Sequence, residues 1–230
     1  MKTFLHVDSG SLNKADIKGF NNDNWSEIRF DINNNVNRDI EKNLLNMDQF
    51  PNESIDAIYT YHNIEHVYPH EVEIVLNEFL RVLKYDGIVV LTCPDLQSAC
   101  EYIAKDKLFE ILYGSDSGQM TPMDILFGLS GELKRGNHFM AHKSGFTYSA
   151  LLGAFIHAGF KKWIGGRRSK SYELCLIACK SEKSDEDVSA RLPSVIIAVI
   201  NAFSGPSLPC MTVYASITES PDGLSSTALV

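Results

Sequence analysis

Along the first 95 residues the hydrophobic positions switch between two periods. "TFLHV" (residues 3–7) is a short apolar run of β-prone residues that stops at the small polar turn "DSGS". "EIRFDI" (27–32) alternates apolar and polar positions and carries Asp31 near its end. "SIDAIYTY" (54–61) and "GIVVLTC" (87–93) predict two more strands. The second of these is nearly continuously apolar, as a strand covered on both faces is. Between them, "HEVEIVLNEFLRVLKYDG" places Val72, Val75, Leu76, Phe79, Leu80 and Leu83 at helical spacing. Pro69 stands just before the first turn of this helix, and Asp86 with Gly87 predicts its stop. Strand, helix, strand in repetition is the pattern of an α/β protein with a parallel, doubly wound sheet.

After Pro94 the pattern changes. Residues 96–145 begin as a helix-like stretch, "LQSACEYIAKDKLFEILYG", and continue as Gly-rich polar sequence. This predicts an insertion over the C-terminal edge of the sheet. "TYSALLGAFIHAGF" (147–160) predicts a further helix closed by Gly159. "KKWIGG" (161–166) and "YELCLIAC" (172–179) predict two strands joined by "RRSKS". From residue 181 the chain becomes a charged linker, then Ser, Pro and small apolar residues with no sustained period. The expected organisation is one domain over 1–180, with an insertion at about 96–145, and a C-terminal tail over 181–230.

Charge narrows the partners. The chain holds 21 basic and 29 acidic residues, a net charge of −8. No Lys/Arg run forms a footprint for nucleic acid or a membrane surface, so a small-molecule substrate is expected. Five cysteines with no C-x-x-C pair argue against a disulfide framework and against a Cys-rich zinc knuckle. The N-terminus lacks a long apolar segment, and "VIIAVINAF" (195–203) is far short of the roughly 20 residues a membrane span needs. These features point to a cytoplasmic protein.

One stretch raises a competing chemistry. "YHNIEHVYPH" (61–70) contains H-x-x-E-H, the spacing of an inverted zinc-peptidase helix. That reading needs His62 and His66 on one face of a regular helix, Glu65 beside them as base, and a distant third ligand. The preceding "DAIYTY" reads as a buried strand, and Pro69 follows His66 by three residues, which leaves no room for such a helix. No metal is therefore expected. Tyr61 and His62 are expected to line a ligand crevice at the end of their strand. Glu65 and His66 are expected to tie the loop to the helix behind it.

"WSEIRFDIN", "SIDAIYTYHNIEHVYPHEV", "EFLRVLKYDGIVVLTCPDLQ" and "GNHFMAHKSGFT" resemble a bacterial group of class I S-adenosylmethionine-dependent methyltransferases of the methyltransferase type 11-like kind. The resemblance spans roughly residues 3–180. It implies a Rossmann-like, mostly parallel seven-stranded sheet with helices on both faces and an antiparallel last strand. It also implies S-adenosyl-L-methionine lying across the C-terminal ends of the first strands. The family's first turn commonly reads G-x-G. Here it is Asp8, Ser9, Gly10, so Gly10 keeps the second glycine and Asp8 replaces the first. Carried over residue by residue, Asp8, Ser9 and Gly10 contact the cofactor and Asp31 accepts from the ribose hydroxyls. Asn46 and Met47 meet the adenine, and Tyr61 and His62 line the methyl-donor pocket. His62, His138 and His142 are the candidate catalytic imidazoles, since His takes a proton near neutral pH. Asp95, just past the fourth run, is placed to orient substrate. The implied reaction is methyl transfer to a small-molecule or sugar-type acceptor. The alternative is a non-catalytic binding or regulatory relative that lost efficient cofactor binding through Asp8.

Overall fold

The computed structural model describes residues 1–7, 10, 12–31, 38–41, 44–115, 118–168, 170–183 and 211–214. Its strands are β1 (Lys2–Val7), β2 (Trp25–Asp31), β3 (Ile40–Glu41), β4 (Ile55–Tyr61), β5 (Leu83–Pro94), β6 (Tyr113–Ser115), β7 (Gly118–Met120), β8 (Lys162–Arg168), β9 (Glu173–Cys179) and β10 (Met211–Tyr214). Its helices are α1 (Val72–Val82), α2 (Leu96–Ile103), α3 (Pro122–Phe127), α4 (Ser130–Lys134) and α5 (Tyr148–Ala158).

The main sheet runs β3-β2-β1-β4-β5-β9-β8-β10. β2 with β1, β1 with β4 and β4 with β5 pair in parallel, and β3 joins β2 in parallel. β9 enters antiparallel between β5 and β8. Omitting β10, this is a seven-stranded Rossmann-like sheet in which the last strand of the core, β9, reverses direction. β6 and β7 form a separate hairpin inside the predicted insertion. β10 pairs antiparallel with β8, adding an outer strand from the segment expected to be tail.

Alternation along the strands builds two apolar layers. Leu5, Val7, Val89, Leu91 and Cys93 face one layer, together with Val75, Leu76 and Phe79 of α1 and Leu151 and Phe155 of α5. Phe4, Ala57, Tyr59, Ile88, Val90 and Ile177 face the other. Among the described residues no α-helix links β1 to β2. A short 3₁₀ turn (Lys14–Asp16) is followed by Ile17 and Phe20, which cover this second layer. Phe20 packs 4.4 Å from Phe4 and 4.9 Å from Trp25, ring centre to ring centre. Three aromatic rings thus close a face that a helix covers in larger domains.

α1 begins where the hydrophobic spacing predicts but ends earlier. Its last residue is Val82, and Leu83 already enters β5. The predicted stop at Asp86 and Gly87 instead lies within β5. A side chain at Gly87 would meet Leu83 Cδ2 at 2.8 Å and the Lys84 carbonyl at 2.9 Å. The glycine is there for close approach, not to end a helix. α5 obeys its signals: the Thr147 side chain accepts from Ala150 N, and Gly159 closes the helix at φ +109°.

Phe79 is 1% exposed at the centre of α1's inner face, whereas Ile74 on the outer face is 45% exposed. Phe79→Ala is expected to cost about 3–5 kcal/mol of unfolding free energy, and Ile74→Ala less than about 0.5 kcal/mol. Urea titrations of the two variants check this; equal losses would contradict the assigned faces.

Candidate functional site

The C-terminal ends of β1, β2, β4 and β5 form one edge, and the polar residues of the chain converge there. At its first corner stand Gly10 and Asp31. Gly10 adopts φ +51°, a left-handed conformation that glycine enters without strain. Its N–H donates to Asp31 Oδ2 at 3.0 Å, and its carbonyl accepts from Arg29 Nη2 at 2.8 Å. The turn is therefore clamped on both sides by β2. A Cβ built on Gly10 meets nothing within 4 Å, so the space over the turn is open. Asp31 ends β2 with 2% exposure, a carboxylate held at fixed height beside that space. Asp8 and Ser9 lie outside the described residues.

Asn46 and Met47 go elsewhere. The Met47 amide donates to Glu78 Oε2 at 2.9 Å, and its carbonyl accepts from Arg81 Nη2 at 2.9 Å. Its side chain is fully buried. The Asn46 side chain accepts from the Asp48 amide at 2.9 Å and lines a hollow of about 520 Å³ with Ile74, Asn77 and Arg81 of α1. The amide assigned to an adenine nitrogen by resemblance is taken by Glu78. In this structure the pair serves the contact with α1.

The second corner is the end of β4. His62 follows the last strand residue, Tyr61, at φ +53°. Its backbone N–H still reaches Thr92 O of β5 at 3.0 Å. The bent backbone sets the imidazole between two carboxylates. Nε2 lies 3.2 Å from Glu173 Oε1, though not aligned as a hydrogen bond, and Nδ1 lies 3.7 Å from Glu65 Oε1. Tyr61 donates its hydroxyl to the same Glu173 oxygen at 3.2 Å. Burial lowers the His62 pKa more than Glu65 raises it, with Arg168 lowering it further. The lowered pKa favours the neutral ring, a proton acceptor set between the carboxyl groups of Glu65 and Glu173. Burial also raises the Tyr61 pKa and keeps its hydroxyl protonated.

Glu173 and Arg168 were not foreseen. Glu173 opens β9 opposite Pro94 and is 5% exposed; its other oxygen pairs with Arg168 at the end of β8. A signal was present in the sequence: Glu173 interrupts an otherwise apolar strand, "ELCLIAC", and "GGRR" supplies the facing cation. Asp95 lies near this edge but is fully occupied. It caps α2 through Gln97 N at 3.1 Å, accepts from Ser98 Oγ at 2.6 Å and pairs with Arg167 Nε at 2.7 Å. It holds α2 to β8.

The insertion contributes His142 and separates it from His138. His142 sits beside Glu65 and His66 on the sheet edge, whereas His138 starts an exposed 3₁₀ turn (His138–Met140). Glu65 and His66 tie their loop to this insertion, not to the helix behind: Glu65 O accepts from Lys143 N and Ser144 N.

Residues 11–91 match the model of a family described as "Methyltransferase domain". No curated protein matches the sequence. Among solved structures, the chain is similar to an S-adenosylmethionine-dependent methyltransferase from Thermotoga maritima, described as a possible histamine N-methyltransferase. The TM-score is 0.52 at 14% identity, covering 78% of this chain and 83% of the other. A protein from Pyrococcus horikoshii gives the same TM-score and identity over 77% and 81%. The match over residues 11–91 and the likeness to the Thermotoga structure agree on the Rossmann-like fold that S-adenosylmethionine-dependent methyltransferases share. Among the described residues no helix is long and apolar enough to cross a membrane.

The Glu173–Arg168 pair is buried, so removing one partner leaves a stranded charge. Glu173→Leu is expected to lower unfolding free energy by about 3 kcal/mol, and Glu173→Leu with Arg168→Met to regain most of that loss. A double-mutant cycle in urea reads the coupling; additive losses would show that the pair does not act as a unit.

Proposed function

We propose that this protein transfers the methyl group of S-adenosylmethionine to a small-molecule or sugar-type acceptor, with His62 as the proton acceptor. The observation that carries the reading is the clamped Gly10–Asp31 corner: an open turn at the end of β1 with a buried carboxylate at the end of β2. Glycine lets a ligand approach the backbone, and a carboxylate at that height accepts from paired hydroxyls.

When bound, the cofactor supplies an electrophilic methyl group on a sulfonium. Gly10 and Asp31 would hold its nucleoside portion. Tyr61 and His62, at the end of β4, border the place where a methyl group and an acceptor meet. Transfer would break the carbon–sulfonium bond and release S-adenosylhomocysteine, and a neutral His62 nitrogen would take the proton that the acceptor atom gives up. The flanking carboxylates of Glu65 and Glu173 stabilise the imidazolium that results. In-line placement of the reactants supplies most of the remaining rate. His142 belongs to the same edge through Glu65, while exposed His138 has no contact with it in this structure.

Calorimetric titration with S-adenosylhomocysteine tests the binding half. Micromolar affinity is expected, weakened at least tenfold by Asp31→Ala. Absence of heat at millimolar ligand would reject the reading in favour of a non-catalytic relative. Labelled-donor assays of His62→Gln, with cofactor affinity retained and turnover lost, test the proton acceptor.

A further inference from the structure

β4 ends in a 3₁₀ turn (Ile64–His66) instead of a helix, and this turn presents Glu65 and His66 toward the insertion. Glu65 is 1% exposed, and among the described residues no hydrogen bond reaches either of its carboxylate oxygens. Buried carboxylates are normally paired, hydrogen-bonded or bound to a metal. The nearest groups here are imidazoles at distances too long for hydrogen bonds: His62 Nδ1 at 3.7 Å and His142 Nε2 at 4.0 Å.

The tautomers make the arrangement specific. His142 Nδ1 lies 2.8 Å from the Ile125 carbonyl, and His66 Nδ1 lies 3.0 Å from the Ala141 carbonyl. A carbonyl only accepts, so in both rings Nδ1 carries the hydrogen. In the neutral ring Nε2 then presents a lone pair. His142 Nε2 thus faces a Glu65 oxygen across 4.0 Å as one acceptor facing another, a contact that is repulsive unless a cation lies between. Backbone carbonyls fixing Nδ1–H of two imidazoles is how histidine ligands are oriented around a metal. The two rings stand 5.0 Å apart, centre to centre, and one ligand atom from each of Glu65, His66 and His142 lies within 4.8 Å of the others.

We propose that Glu65, His66 and His142 bind a divalent transition-metal ion, taking it through one carboxylate oxygen and two Nε2 atoms. Two imidazoles and a carboxylate suit zinc, cobalt or ferrous iron better than magnesium or calcium. Three protein ligands leave a coordination position for water, as at open zinc sites. The sequence expectation of no metal rested on the absence of a regular H-x-x-E-H helix. The site does not use that geometry: it takes Glu65 and His66 from the turn and its third ligand from the insertion. It therefore pins the insertion to the sheet edge, and it stands whether or not the protein transfers methyl groups.

The test uses full-length, untagged protein stripped with EDTA. Titration with CoCl₂ is expected to develop visible absorption saturating at one equivalent, displaced by ZnCl₂. Glu65→Gln and His142→Ala each weaken cobalt binding at least tenfold, while His70→Ala, on an exposed turn, leaves it unchanged. A second measurement needs no variant: ZnCl₂ protects His66 and His142 from diethyl pyrocarbonate and leaves exposed His157 reactive. Wild-type protein that binds no cobalt at millimolar CoCl₂, or equal modification of His66 and His142 with and without zinc, would overturn the site.

Discussion

The register of β5 between its two neighbours governs the rest of the structure. β5 runs parallel to β4, with Tyr61 opposite Thr92, and antiparallel to β9, with Pro94 opposite Glu173. These two alignments bring the end of one strand and the beginning of another to the same height. His62, one residue past β4, therefore meets Glu173, the first residue of β9, although 111 positions separate them (173 − 62). A shift of one residue in the β5–β9 ladder turns Glu173 to the opposite face, a shift in the β4–β5 ladder turns Tyr61, and either breaks the constellation. The apolar residues on both faces of β5 make such a slip costly, since Val89, Leu91 and Cys93 and their counterparts Ile88 and Val90 would exchange layers.

The same edge concentrates buried polar groups that a core built only for stability lacks. Asp31, Glu65, Asp95 and Glu173 are each no more than 5% exposed. They divide by partner. Asp95 is saturated by a cap, a hydroxyl and a guanidinium, and acts as a structural tie between α2 and β8. Asp31 is bonded to the turn it faces. Glu173 is compensated by Arg168 yet keeps an oxygen turned toward Tyr61 and His62. Glu65 alone has imidazoles around it and no donor on either oxygen. Desolvating charge costs stability, and groups that retain it at a strand edge mark chemistry more often than folding.

How much of this the sequence disclosed depends on whether the relevant contact was local. The strands and α1 were legible because period and burial agree along each short segment. That Gly10 and Asp31 meet at one sheet edge was legible because both stand at strand ends. The stop of α1 was misplaced because Gly87 carries a turn signal but serves the packing of β5 on Leu83 and Lys84, a tertiary requirement. Nothing near Met47 in sequence announces Glu78 and Arg81, which take its backbone. Glu173 escaped notice for the same reason, since its partners come from β4 and β8. β10 carried no periodic signal at all, and its pairing depends on the exposed edge of β8.

The H-x-x-E-H stretch shows why a motif has to be read with its backbone. On a regular helix the spacing aligns His62 with His66. On a turn that leaves a strand through a left-handed residue, it sends them apart. His62 swings toward Glu173, and His66 swings toward the insertion and His142. Glu65, between them, faces both. One carboxylate thus stands between the His62 imidazole at the end of β4 and the His66–His142 pair at the insertion. A cation held by Glu65 would draw electron density from it, so the oxygen facing His62 Nδ1 would stabilise an imidazolium less. Occupancy of the proposed outer cluster would thus weaken the support that Glu65 gives to a protonated His62. The insertion would in this way be electrically linked to the end of β4.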